Sequence, residues 1–129
     1  MTPELKRILY VEDDQDIAEV TQMTLAEFGN FEVQYCSSGQ EALAALPVHN
    51  PQLVLMDVMM PGMDGPTTFK HVRTMAGYEA LPVVFMTAKA QTHEQAAYRD
   101  MGVAGVIVKP FDPMLLCQNI LDIWAHIHV

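Results

Sequence analysis

With 129 residues the chain is long enough for one domain that buries about two-thirds of its unfolded surface, and no linker, repeat or composition shift divides it, so 1–129 reads as a single domain with no output domain. Half the residues are hydrophobic and 18% are charged, which excludes a disordered chain, while the longest apolar runs are far too short to span a bilayer. A net charge of −9 argues against direct binding to DNA or RNA, and two distant cysteines, Cys36 and Cys117, with no signal-peptide pattern point to a reducing, cytoplasmic setting.

Strand and helix patterns alternate five times along the chain. Arg7–Val11 is the first apolar run, and it leads directly into Glu12-Asp13-Asp14. Ile17, Val20, Thr24 and Phe28 then recur at helical spacing, with Asp14 and Asp16 as cap and turn residues at the start and Gly29 placed to end the helix. In Phe31–Tyr35 the apolar Phe31, Val33 and Tyr35 alternate with Glu32 and Gln34, the pattern of an edge strand. Ser38 and Glu41 form a capping-box pair opening a helix expected to stop before Pro47.

Gln52–Asp57 contains the unbroken apolar run Leu53-Val54-Leu55-Met56 and ends in a carboxylate. Such a run is buried on both faces and belongs in the middle of a parallel sheet. Met59-Met60-Pro61-Gly62-Met63-Asp64-Gly65 is turn chemistry that lets a loop curl beside Asp57, and Gly65-Pro66 sets a proline at a helix start. Pro82–Thr87 is a second central strand. Thr92 with Gln95 is a weaker capping box, and Gly102 marks that helix's end. Gly105–Lys109 is the fifth strand. Asp112-Pro113 then opens a last helix whose stripe Leu116, Ile120, Ile123 and Ile127 is core, with Trp124 on its rim, where core packing and a partner surface are both open readings.

Alternation at this spacing implies right-handed crossovers and an α/β, doubly wound, five-stranded parallel sheet of order 2-1-3-4-5. Its switch point, between strands one and three, lies beside Glu12, Asp13 and Asp57, at the carboxyl edge where open α/β sheets carry their chemistry. Thr87 and Lys109, followed by Pro110, reach the same edge. Crowded carboxylates repel one another, and a hard divalent cation such as Mg²⁺ removes that cost. Asp57 is then a candidate nucleophile toward a phosphoryl group, Lys109 a point charge for its oxygens and Thr87 a hydroxyl donor. Singly each residue is ordinary: a strand-terminal Asp is commonly a cap, Thr87 a strand residue, Lys109 an edge charge. Their joint placement carries the signal.

Ile8-Leu9-Tyr10-Val11-Glu12-Asp13-Asp14, Met56-Asp57-Val58-Met59-Met60-Pro61-Gly62-Met63-Asp64-Gly65, Met86-Thr87-Ala88 and Val108-Lys109-Pro110-Phe111 resemble, in order and over essentially the whole chain, the receiver domains of two-component response regulators. The resemblance implies the flavodoxin-like (βα)₅ fold of chemotaxis regulators, which are themselves a standard instance of the 2-1-3-4-5 order, so the two expectations are not independent. It implies that Asp57 accepts a phosphoryl group from a histidine kinase or phosphotransfer protein. It further implies Mg²⁺ held by Asp13, Asp57 and the carbonyl of Met59, with Glu12 acting mainly through water, and phosphate binding by Thr87 and Lys109. A cis bond before Pro110 is implied as well. The chain departs from the family at Val106, where many receivers carry Tyr or Phe, which puts the usual aromatic output signal in doubt but not the chemistry. Glu12 in place of the commoner Asp preserves charge.

Among the ten methionines, Met59, Met60 and Met63 share one loop, and core filling or a partner surface suits them better than metal ligation beside hard oxygens. His49, His71, His93, His126 and His128 show no paired metal spacing, apart from a weak chelate at His126 and His128. Lys89 is placed to overhang the site. The leading function is a switch read by a downstream target protein at the face of the fourth helix, fifth strand and fifth helix, which is also available for a homodimer. The alternative is a Mg²⁺-dependent phosphatase or phosphotransferase with an aspartyl-phosphate intermediate, disfavoured because Met59, not an acid, stands two residues beyond Asp57. A constitutive interaction domain with a vestigial site is disfavoured by the five site positions being filled.

Overall fold

The computed structural model describes residues 2–88 and 91–128. In chain order its elements are β1 (Arg7–Val11), α1 (Gln15–Glu27), β2 (Glu32–Cys36), α2 (Gly39–His49), β3 (Leu53–Asp57), α3 (Gly65–Thr74), β4 (Val83–Thr87), α4 (Thr92–Asp100), β5 (Gly105–Val108) and α5 (Pro113–Ile127). The strands form one parallel sheet of order β2-β1-β3-β4-β5, as the alternation predicts. Every residue of β3 and β4 is buried, and β2 is the half-covered edge.

Successive side chains of a strand point to opposite faces, so each strand feeds two cores. Ile8 and Tyr10 of β1 join Leu55 and Met86 beneath Leu25 of α1 and Leu116 and Ile120 of α5. Leu9 and Val11 join Val54, Met56 and Phe85 beneath Leu46 of α2 and Phe69 and Val72 of α3. Register aligns the strand ends that matter: Val11 pairs with Met56, Asp57 with Met86, and Thr87 with Val108. Glu12 and Lys109, each one residue beyond its strand, therefore project from the same edge as Asp57 and Thr87.

Several local expectations change. On α1 the buried residues are Ala18, Thr21, Thr24 and Leu25, so of the expected stripe Thr24 is buried and Ile17 half-buried, whereas Val20 and Phe28 are exposed. Two hydroxyls make the buried face possible, since Thr21 and Thr24 donate back to the carbonyls of Ile17 and Val20 at 2.8 and 2.9 Å. The left-handed residue after α1 is Asn30 (φ 56), one beyond Gly29. α2 runs through Pro47 to His49. A proline in the last turn removes one helical bond, and the helix still closes because the Asn50 N–H reaches the Leu46 carbonyl at 2.8 Å over a buried Leu46. Gln91, not Thr92, is the residue that precedes α4, and it makes no side-chain capping bond. Gly102, with φ +102, ends that segment as expected. Trp124 is buried rather than a rim residue, and its ring N–H donates to the Pro3 carbonyl at 2.7 Å, while Ile127 is the exposed member of the α5 stripe. Both cysteines are free thiols, and burial pushes Cys36 up to about 11. No helix among the described residues is long and apolar enough to cross a membrane.

Candidate functional site

Each strand end is held by its own local chemistry. The Glu12 N–H extends the β1–β2 ladder by donating to the Cys36 carbonyl at 3.1 Å. Asp14 caps α1, accepting from the N–H groups of Asp16 and Ile17 at 3.0 and 3.2 Å; Asp13 and Asp14 are both exposed, whereas Glu12 is buried. At the end of β3 the Val58 N–H donates to the Met86 carbonyl and the Gly65 N–H returns to the Val58 carbonyl, both at 2.9 Å, so the loop after Asp57 closes on its own start. Asp64 caps α3 through the Thr67 N–H at 2.8 Å. A Cβ at Gly65 would lie 2.6 Å from the Asp57 carbonyl oxygen and 2.9 Å from Val58 Cα. Gly65→Ala should therefore destabilise the fold by about 1–3 kcal/mol, because main chain cannot step aside, and a urea midpoint equal to wild type would contradict this closure.

From β4, buried Thr87 accepts the Lys109 N–H on its carbonyl at 2.7 Å, which locks the start of the segment after β5 to the end of β4. The Lys109–Pro110 bond is cis, as the resemblance implies. Lys109 Nζ lies 2.6 Å from Glu12 Oε1 and 3.0 Å from Asp57 Oδ1. One ammonium thus bridges two carboxylates that are 1% and 7% exposed. Glu12, Asp13 and Asp57 each present an oxygen within 4.8 Å of the others, the one such cluster of potential metal ligands among the described residues.

The electrostatics follow from burial. Glu12 is pushed up to about 7, chiefly because burial penalises its charge, with Asp57 adding to the rise and the Lys109 ammonium opposing it. Burial acts to lower Lys109, but its bonds to Glu12 and Asp57 outweigh that and raise it. Among the described residues a single cation, Lys109, stands against these three carboxylates, which leaves that set short of positive charge. The donor set is hard oxygen throughout, so it could hold a metal ion of the Mg²⁺ class rather than a thiophilic one. Of the loop methionines, Met59 is exposed and Met60 lies in the core.

Of the residues singled out in the sequence, Lys109 meets Glu12 and Asp57 directly, Asp13 presents an oxygen within 4.8 Å of both carboxylates, and register brings Thr87 to the same edge. Lys89 lies outside the described residues. Two tyrosines escaped the sequence reading. Tyr35, an ordinary alternating residue of an edge strand, donates its hydroxyl to the Glu12 carbonyl at 2.6 Å. Tyr98 of α4 packs edge-on against Phe85 with ring centroids 5.4 Å apart, and Phe85 is the register partner of Val106. An aromatic therefore does stand beside β5, but it comes from the helix, a placement that strand periodicity cannot reveal.

Fold and site together define a doubly wound sheet with an acidic pocket at its switch point. The chain belongs to the response regulator receiver domain family, whose model matches residues 8–121. It is 36% identical over 106 residues to response regulator Rre1 of Synechocystis sp., covering 82% of this chain and 46% of that protein. Identity to the transcriptional regulatory protein DltR of Streptococcus agalactiae is 39% over 106 residues, with the same coverage. The chain thus spans about half the length of these curated relatives. Among solved structures, chemotaxis protein CheY4 of Vibrio cholerae superposes with a TM-score of 0.84 at 28% identity, over 93% of this chain and 99% of that one. A CheY-like receiver domain protein from Methanospirillum hungatei gives 0.81 at 27%, over 95% and 96%.

Proposed function

We propose that this chain is a phosphorylation-controlled switch: Asp57 accepts a phosphoryl group from a histidine kinase or phosphotransfer protein, and a change at the neighbouring strand ends is read by a target protein. The observation that carries this reading is Lys109 held across Glu12 and Asp57 in a pocket where three carboxylate oxygens converge. Asp13, Asp57 and the Met59 carbonyl would hold Mg²⁺, with Glu12 acting mainly through water; when bound, the ion offsets the negative charge that would otherwise repel a phosphoryl group.

The chain's own residues supply the rest. An Asp57 carboxylate oxygen attacks phosphorus, forming an O–P bond as the donor's N–P or O–P bond breaks and its electron pair leaves with the donor. Lys109 Nζ, already against Asp57, exchanges a carboxylate partner for a phosphoryl oxygen, and the Thr87 hydroxyl donates to another. Burial of Asp57 restricts water at the acyl phosphate, which suits a switch better than a turnover enzyme. The target surface in this reading is the face of α4, β5 and α5, elements that follow β4, which ends at Thr87, and flank Lys109 in the chain. An acidic chain that gains about 1.5–2 further negative charges on phosphorylation is suited to a protein partner rather than nucleic acid.

Incubation with acetyl phosphate and Mg²⁺ should add one phosphoryl group by intact mass, absent with a chelator and absent in Asp57→Asn. An equal adduct on Asp57→Asn would overturn the assignment. Mg²⁺ binds the native state, so it should also raise the melting temperature with concentration. Asp13→Ala relieves carboxylate crowding, so it should melt higher than wild type without metal and lose the Mg²⁺ response. A lower metal-free melting point for that variant would count against a crowded acidic pocket.

A further inference from the structure

Glu12 is fixed at three points, and two of them come from β2, a strand that contributes no carboxylate to the acidic cluster. Its N–H donates to the Cys36 carbonyl at 3.1 Å, and its carbonyl accepts the Tyr35 hydroxyl at 2.6 Å. The third is the side-chain bond to Lys109 at 2.6 Å. The carbonyl of Glu12 and the N–H of Asp13 belong to one planar peptide, so whatever holds that carbonyl sets the direction in which Asp13 leaves the strand.

Asp13 needs such help more than its neighbours. It is the exposed member of the three-carboxylate cluster, whereas Glu12 and Asp57 are buried and share the Lys109 ammonium. Tyr35 is well placed to give it. Its ring is fixed against Tyr10, its register partner on β1, with centroids 6.0 Å apart. We infer that Tyr35 is a positioning residue of the metal site: through the Glu12 carbonyl it orients the Glu12–Asp13 peptide so that Asp13 faces Asp57. This rests on the reading of the acidic pocket as a Mg²⁺ site, and it adds a residue from outside the pocket to that site.

Tyr35→Phe removes the hydroxyl and keeps the ring. Mg²⁺ binding to the full chain, measured by calorimetry, should weaken about tenfold, the low end of what outer-shell changes cost metal sites. Phosphorylation by acetyl phosphate should slow at low Mg²⁺ and recover at saturating Mg²⁺, because Asp57 and Lys109 are untouched. A merely structural role would lower the metal-free melting temperature and leave the Mg²⁺ dissociation constant within twofold of wild type, and that result overturns the inference. Should Tyr35→Phe fail to fold, the wild-type Tyr35 ring resonances give the answer. A shift that saturates with Mg²⁺ at the calorimetric constant supports the coupling, and unchanged resonances overturn it. Absence of Mg²⁺ binding by wild type would overturn the metal site itself and this inference with it.

Discussion

Lys109→Met should lower the stability of the metal-free protein by about 3–5 kcal/mol at neutral pH, the cost of stripping the partner from buried charges. The side chain bridges Glu12 and Asp57 at 2.6 and 3.0 Å, and both carboxylates are nearly inaccessible to water. Methionine matches the length of the stem and can fill its space, so the loss comes from charge rather than from a cavity. Two features separate this from a packing effect. Saturating Mg²⁺ should restore much of the stability by supplying another cation, and the deficit should shrink at acid pH, where Glu12 takes up its proton. A denaturant midpoint within 1 kcal/mol of wild type, at the scale of an exposed ion pair, would show that the bridge is not a buried one.

Glu12 should give the metal-free protein a stability that falls as pH rises across weakly acidic conditions. Its carboxyl lies near 4.5 ordinarily and is pushed up to about 7 in the fold, chiefly by burial. The folded state therefore holds this proton more tightly than the unfolded state. Its contribution is complete below about pH 4.5 and is lost as pH rises through about 7, on the order of 1–3 kcal/mol in total. His49, lowered chiefly by burial, works in the opposite direction below its ordinary value of 6.5, so the wild-type profile alone is a sum of the two. The comparison with Glu12→Gln isolates the carboxyl: the difference between the two proteins should grow in favour of the variant from pH 4.5 to pH 7 and change little below that. Mg²⁺ should flatten the difference, since the metal favours the ionised form. Parallel stability profiles for the two proteins would mean that Glu12 carries its charge at no cost.

Much of this site was legible in the sequence because each strand announces its end. Leu53-Val54-Leu55-Met56 must be buried on both sides, so Asp57 can only emerge at an edge, and Val11 followed by Glu12 says the same of β1. Lys109 was expected as a phosphate ligand, but its bridge across Glu12 and Asp57 depends on the separation of β1, β3 and β5 in the sheet, which no local pattern encodes. The buried face of α1 is only partly legible, at Thr24, for a related reason. Hydropathy favours Val20 and Phe28, whereas the sheet accepts small Ala18 and the self-satisfied hydroxyls of Thr21 and Thr24. Trp124 and Tyr35 were obscure because their roles lie in one polar atom each, a ring N–H to Pro3 and a hydroxyl to Glu12. Periodicity reports where a side chain points, not which carbonyl awaits it.

The central claim is that the acidic pocket exists to phosphorylate one carboxylate. Borohydride reduction of the protein after treatment with acetyl phosphate and Mg²⁺, followed by peptide mass spectrometry, locates an acyl phosphate by converting its aspartate to homoserine. The account predicts homoserine at position 57, dependent on Mg²⁺ and absent at Glu12, Asp13 and every other acid. Reduction at another position, or none at 57 in protein that binds Mg²⁺, would contradict it.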